Sequence, residues 1–260
     1  MSNIRTTELG IGFGRGKTLR TVQNNLNLEA SQGELTALVG PNGCGKSTLL
    51  RTLAGLQASQ SGTIYLGDKE LNIRTMSAHE RAKTISLVLT DTVHLMYASV
   101  EQLVETGRHP YTSFSGKLNL EDKRLVAMAL KAVKLEHLKN RMFSELSDGE
   151  RQRVMIAKAL AQDTPIILLD EPTSFLDLPN RIEILLLLKN LAHEMHKCIL
   201  LSTHEIDLAI RLADKLWLME AGLGIKSGSP SILTSNGSIQ SVFKGESFGF
   251  DPQTGHVIIF

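Results

Sequence analysis

Four short runs of aliphatic residues punctuate the chain, at 35–39, 85–89, 166–169 and 199–201. Each is continuous rather than alternating, as suits strands buried on both faces of a parallel sheet. KLWLME, at 215–220, is a further candidate. Helical periodicity fills the intervals. KSTLLRTLAGL closes at Gly55, a second periodic stretch runs over 121–138, and a third over 179–196. In the third, Ile184, Leu187, Leu188 and Leu191 fall on one helical face, and Pro179 suits a first turn. Ahead of these, TTELGIGFG and TVQNNLNLEA alternate in the manner of strands, and SGTIYLGDKEL reads as a hairpin.

Strands alternating with helices predict one α/β domain over 1–260 with a doubly wound, mostly parallel sheet and an N-terminal antiparallel β subdomain. The stretch from about 92 to 160 is mainly helical and predicts a helical subdomain. From about 222 the chain turns Gly- and Ser-rich, which predicts a loose C-terminal appendix over 222–260.

Charge narrows the choice of partners. Lys+Arg 28 against Asp+Glu 27 leaves a net +1, so no bulk field draws nucleic acid or anionic lipid. Two cysteines, Cys44 and Cys198, cannot build a disulfide framework or a four-thiolate metal site. The first ten residues lack the apolar run of a signal peptide, and ILLLL at 184–188 is too short to span a bilayer. The expectation is a soluble, cytoplasmic protein whose membrane role, if it has one, goes through a partner.

The chemistry begins at GPNGCGKST, 40–48, which matches G-x-x-x-x-G-K-[ST] between a predicted strand and a predicted helix. Asn42, Gly43, Cys44, Gly45, Lys46, Ser47 and Thr48 are the nucleotide-binding candidates. Gly43 and Gly45 let N–H groups turn in around phosphates, the helix start adds positive potential, Lys46 reaches the β/γ-phosphates and Ser47 can ligate Mg²⁺. Cys44 reads as a small loop residue without redox work. PIILLDEP, 165–172, ends an aliphatic strand in two acids. Asp170 is placed to hold the metal shell, and Glu171 to act as general base. LSTHE, 201–205, brings His204 to the same predicted sheet edge, in reach of a γ-phosphate. FSELSDGERQRVMIAKAL, 143–160, carries a capping box in Ser147 and Glu150, and a capped helix start is also an anion site.

GPNGCGKST, LSDGERQR, IILLDEP, SFLD and LSTH, in this order, resemble the ATP-binding-cassette (ABC) ATPases across at least 7–221. The resemblance implies a P-loop NTPase fold, ATP with Mg²⁺, and two copies that sandwich each ATP between one phosphate loop and the other copy's signature turn. Ser147, Gly149 and Glu150 then face the partner's ATP. Phe13 resembles the aromatic that stacks on adenine, and Asp177 the residue that communicates across the dimer. Asp148 and Glu150 stand where the family has Gly and Gln. Thr90 stands where it has a Gln that reaches toward metal and water, so the Thr90 hydroxyl becomes a candidate Mg²⁺ contact.

SVEQLVETGRHPYTS, 99–113, is similar to a segment of the ATPases that drive uptake of iron–siderophore complexes, haem and cobalamin. That likeness places Arg108, Pro110 and Tyr111 in a socket for a membrane permease; the plain alternative is a loop with Gly107 as C-cap and Pro110 as a stop. It implies a subunit peripheral to the cytoplasmic face of the membrane, with a substrate-binding protein as an indirect partner and no nucleic acid. A soluble ABC ATPase acting on nucleic acid or ribosomes, and a nucleotide-gated module without hydrolysis, are the alternatives.

Overall fold

Alternation inside the buried strands decides how the layers stack. The computed structural model describes residues 2–14, 18, 20–67, 69–90, 97–113, 116–243, 248–250 and 257–259. Asp91 and Thr92 beside Thr90, the start of the expected helical stretch and most of the last seventeen residues lie outside them.

The chain runs β1 (Ser2–Phe13), β2 (Arg20–Leu26), β3 (Glu29–Ser31), β4 (Leu35–Val39), α1 (Lys46–Leu53), β5 (Ser61–Leu66), β6 (Leu71–Asn72), α2 (Ala78–Thr84), β7 (Ile85–Val88), α3 (Val100–Glu105), α4 (Leu120–Ala132) and α5 (Asp148–Ala161). It continues through β8 (Ile166–Leu169), α6 (Leu178–Glu194), β9 (Cys198–Thr203), α7 (Ile206–Leu212), β10 (Lys215–Glu220), β11 (Gly224–Gly228), α8 (Pro230–Ser235), α9 (Ser238–Val242), β12 (Phe248–Phe250) and β13 (Val257–Ile259). The central sheet has the order β11-β10-β4-β9-β8-β7, parallel from β10 to β7 with β11 antiparallel at the edge. A second, antiparallel sheet has the order β2-β1-β5-β6, with β3 paired to β1.

Successive strand residues point to opposite faces. Ala37, Ile167, Leu169, Ile199, Leu201, Leu216 and Leu218 enter a core shared with the helices α3 to α9. Their neighbours Leu38, Ile166, Leu168, Cys198, Leu200, Trp217 and Met219 enter a second core, shared with α1 and the antiparallel sheet. Burial on both faces is why these strands read as unbroken apolar runs. α1 lies in that second core, with Leu49, Leu50 and Leu53 fully buried, so the helix carrying Lys46 is fixed along its length.

Three expectations change. The periodic stretch 121–138 is not one helix: α4 stops at Ala132, Lys134 adopts φ 62, and a 3-10 turn follows at Glu136–Leu138. The Leu135 N–H reaches back to the Leu130 carbonyl at 2.9 Å, a Schellman closure that ends the helix without a glycine. The residues from 222 do not begin a loose appendix. β11 pairs along β10, and Leu233 and Ile239 are buried in the helical core. Glycine and serine there supply a tight turn, the Ser229 cap of α8 and the left-handed Gly237 that opens α9, which composition alone does not separate from a tail. Gly107 is no left-handed cap: a Cβ there would sit 2.3 Å from the Lys158 carbonyl, so glycine allows close approach to α5.

Candidate functional site

β4, β9, β8 and β7 lie side by side and parallel, so their carboxyl ends release four loops on one edge. This is where ligands bind in open α/β sheets. β4 leads into the phosphate loop and α1. Gly43 and Gly45 have φ 78 and 111. At Gly45 a Cβ would lie 2.3 Å from Val22 Cγ1, so both backbone and space require glycine. Gly45 is also the N-cap of α1 and offers no side-chain cap, and the first turn holds no acid. The orphan N–H groups of this helix start therefore remain available to an anion. Asn42 and Gly43 are exposed at the tip and Thr48 is half-buried. Cys44 turns into the second core, and burial pushes its thiol pKa up; only its backbone remains to serve a ligand.

Lys46 is almost fully buried. Its ammonium donates to the Gly40 and Pro41 carbonyls at 2.9 and 3.2 Å and stands 3.8 Å from Glu171 Oε1. The Ser47 hydroxyl donates to Asp170 Oδ1 at 3.0 Å. Ser47 and Asp170 thus bring hard oxygen donors together beside the phosphate loop. Among the described residues no group of three or more His, Cys, Asp or Glu side chains is placed to hold a metal. One hydroxyl and one carboxylate, with phosphate oxygens and water completing the shell, is the manner in which Mg²⁺ is held, so the site fits that ion.

Glu171 follows Asp170 with φ 46. Its Oε2 accepts from Ser174 Oγ at 3.0 Å and lies 3.6 Å from His204 Nδ1, while Oε1 faces Lys46. The Lys46 ammonium and the His204 imidazole therefore flank the two oxygens of the Glu171 carboxylate. Thr90 is different. Its hydroxyl donates to the Asp170 carbonyl at 2.8 Å, so it holds the main chain beside the carboxylate that Ser47 meets. Ser202 and Ser174, which the motifs contained but did not single out, make direct contacts here. Ser202 had a signal: a buried hydroxyl in an apolar strand needs partners.

Phe13 is half exposed at the end of β1, opposite Arg20 of β2. Ser147 caps α5 as expected. Its Oγ accepts from the Glu150 N–H at 3.4 Å, and Glu150 Oε2 accepts from the Ser147 N–H at 2.9 Å. The hydrogen bond from the Ser147 N–H, joined by its hydroxyl, holds the Glu150 carboxyl below the usual carboxylate range. Asp148 pairs with Arg151 at 3.3 Å. Gly149 is buried against Asn180, the residue whose backbone and side-chain amides both donate to Asp177 Oδ1 at 3.1 and 2.6 Å. Asp177 is thereby the N-cap of α6, set beside the start of α5.

Arg108 does not line a surface socket. It is 4% exposed, pairs with Asp122 at 2.9 Å, donates to the Ala161 carbonyl at 2.7 Å and stacks 4.0 Å over Tyr111. Burial pushes the Asp122 carboxyl up, but the Asn119 N–H and the Arg108 guanidinium outweigh it, and the net direction is down. Pro110 and Tyr111 are half-buried, and Lys83 covers the Tyr111 ring at 5.0 Å.

A family model described as "ABC transporter" matches residues 23–174. The chain is 37% identical over 244 residues to the iron(3+)-hydroxamate import ATP-binding protein FhuC of Bacillus subtilis, covering 94% of this chain and 88% of that protein. Among solved structures it resembles a chain of an inward-facing ABC transporter described as of metal-chelate type, with TM-score 0.80, 29% identity and coverage of 94% and 89%. It also resembles the dimeric MJ0796, a bacterial ABC transporter cassette, with TM-score 0.74, 28% identity and coverage of 87% and 98%.

Proposed function

The chain belongs to the ABC transporter ATPase family, and from that premise we propose that it is the ATP-hydrolysing subunit of an importer for an iron chelate, haem or cobalamin. The whole chain is then one ABC domain, with α3, α4 and α5 as its helical subdomain. The observation that carries the reading is the meeting of Lys46, Glu171 and His204 at the sheet edge where Ser47 touches Asp170.

ATP lies with its triphosphate in the loop of Asn42 to Thr48 and its adenine against Phe13. Lys46 exchanges the two loop carbonyls for phosphate oxygens. Ser47 and Asp170 hold Mg²⁺, which when bound neutralises phosphate charge. Glu171, held at Oε2 by Ser174, orients a water and takes its proton as that water attacks the γ-phosphate; the bond from the γ-phosphorus to the β–γ bridging oxygen breaks, its electron pair leaves with ADP, and inorganic phosphate is released. Lys46 and His204 face the charge that develops.

A second copy completes the site with its Ser147 and Gly149, and Asp177, bridging to Gly149 through Asn180, relays between the two nucleotides. The dimeric cassette among the similar structures supports this arrangement. Among the described residues no helix is long and apolar enough to cross a membrane. We place the pair on the cytoplasmic face, against a separate permease reached through Pro110 and Tyr111, with a substrate-binding protein as indirect partner. Phosphate release tests the reading. Glu171→Gln is expected to lower kcat by about 10²–10⁴-fold while ATP still binds. Equal, negligible rates in wild type and variant, with the permease present, would refute hydrolysis.

A further inference from the structure

Ser202 of β9 and Thr90 just beyond β7 grip the end of the strand between them. The Leu169–Leu201 pair sets Asp170 level with Ser202, so a short side chain reaches across. Ser202 is fully buried. Its only proton goes to Asp170 Oδ1 at 2.7 Å, the length of a charge-assisted bond, and its oxygen accepts the Glu171 N–H at 2.9 Å. From the other flank Thr90 Oγ1 donates to the Asp170 carbonyl, and the Asp170 N–H donates to the Val88 carbonyl at 2.8 Å. Every main-chain polar group from the Asp170 N–H to the Glu171 N–H is therefore tied to a neighbouring strand or its extension. The turn needs this. Glu171 has φ 46, a left-handed conformation that is unfavourable for a non-glycine residue and persists only where its surroundings fix it.

We propose that Ser202 and Thr90 are positioning residues with divided labour: Ser202 aims the Asp170 carboxylate at the metal, and Thr90 anchors the main chain that presents Glu171. Ser202 shares Asp170 Oδ1 with the Ser47 hydroxyl, so Ser202 fixes the oxygen that Ser47 also meets. Thr90 is assigned the anchor rather than a metal contact: its hydroxyl ties the Asp170 carbonyl, whereas Ser47 is the hydroxyl that meets the Asp170 carboxylate itself. The proposal rests on the ATPase reading above.

Mn²⁺ binding to the full-length ADP complex, followed by electron paramagnetic resonance, separates the two roles. Ser202→Ala is expected to weaken Mn²⁺ by about tenfold, the loss of one hydrogen bond to a charged group. ADP affinity in EDTA stays within about twofold, and Ser202→Thr restores the metal. Ser202→Cys keeps the volume and gives the same weakening should the alanine variant fail to fold. Thr90→Val is expected to leave Mn²⁺ affinity within about twofold yet lower kcat by about tenfold at unchanged KM for ATP, whereas Thr90→Ser retains wild-type kcat. Wild-type Mn²⁺ affinity in folded Ser202→Ala and Ser202→Cys overturns the first role. Mn²⁺ weakened in Thr90→Val as much as in Ser202→Ala makes Thr90 a ligand and overturns the second. A wild-type protein that binds no Mn²⁺ with nucleotide defeats the ATPase reading and this proposal together, a result distinct from either.

Discussion

The starts of α1 and α5 are both helix N-termini proposed to meet ATP, and they are built in opposite ways. α1 begins on an uncapped left-handed glycine with no acid in its first turn. α5 begins on a closed capping box with Asp148 and Glu150 in its first turn. The first leaves its N–H groups for phosphate; the second spends the Glu150 N–H on its own cap and adds negative charge. In the proposed dimer, then, most of the affinity comes from the α1 side. The α5 tip responds to the γ-phosphate through Ser147 and the Asp148 and Gly149 N–H groups. A weak second contact suits a switch, because it is made only in the closed pair.

A glycine exchange at each tip tests this contrast and has the largest expected effect. Gly45→Ala puts a Cβ 2.3 Å from Val22 Cγ1 at φ 111. Nucleotide affinity should fall by about a hundredfold or more as the loop loses its conformation. Gly149→Ala meets Asn180 Oδ1 at 3.0 Å, with α5 still helical. It should leave monomer affinity for ATP unchanged and act on ATP-dependent dimerisation alone. Calorimetry and light scattering separate the two; a loss of monomer ATP affinity in Gly149→Ala would erase the distinction.

The α1 side was also the more legible from sequence. Its loop motif is contiguous, and the strands around it are unbroken aliphatic runs because both faces are covered. What stayed hidden depends on residues far apart in the chain. Arg108 reads as a surface charge in a Gly-, His- and Pro-containing loop, and only the fold brings Asp122 and the Ala161 carbonyl to it. The Ser202 hydroxyl finds Asp170 by sheet register, which no local pattern encodes. The end of α4 at Ala132 was hidden because apolar periodicity continues through Leu135 and Leu138 after the backbone has turned at Lys134.

The far end of α5 gives the next largest effect. Arg108 closes its C-terminus at the Ala161 carbonyl, and Gln162 holds the Ala82 and Ile85 carbonyls at 2.7 and 3.1 Å, tying α5 to α2 and β7. Removing Arg108 strands a buried carboxylate, so Arg108→Ala should cost about 3–5 kcal/mol in denaturant unfolding. Asp122 has a depressed pKa when folded, so its contribution is complete above the unfolded value and lost as pH falls through the folded one. Wild-type stability should therefore decline on acidification below about pH 4, and Asp122→Asn should flatten that decline. Stability within about 1 kcal/mol of wild type in Arg108→Ala would return Arg108 to the surface role that sequence suggested.

Glu150→Gln has the smallest expected effect and bears on the α5 tip directly. Glutamine keeps the reciprocal bond to the Ser147 N–H, so the capping box survives and stability at neutral pH changes by no more than about 0.5 kcal/mol. The exchange removes a charge from the turn proposed to face the partner's nucleotide. ATP-dependent dimerisation of the hydrolysis-deficient Glu171→Gln protein should strengthen by a few fold, with the largest gain at low salt, where the repulsion is least screened. The acid limb of stability should also flatten, because the depressed Glu150 carboxyl no longer contributes a term that is lost as pH falls through its folded pKa. If dimerisation is instead unchanged at every salt concentration, the Glu150 charge is already absorbed by its cap. The contrast between the two helix starts would then rest on available N–H groups alone.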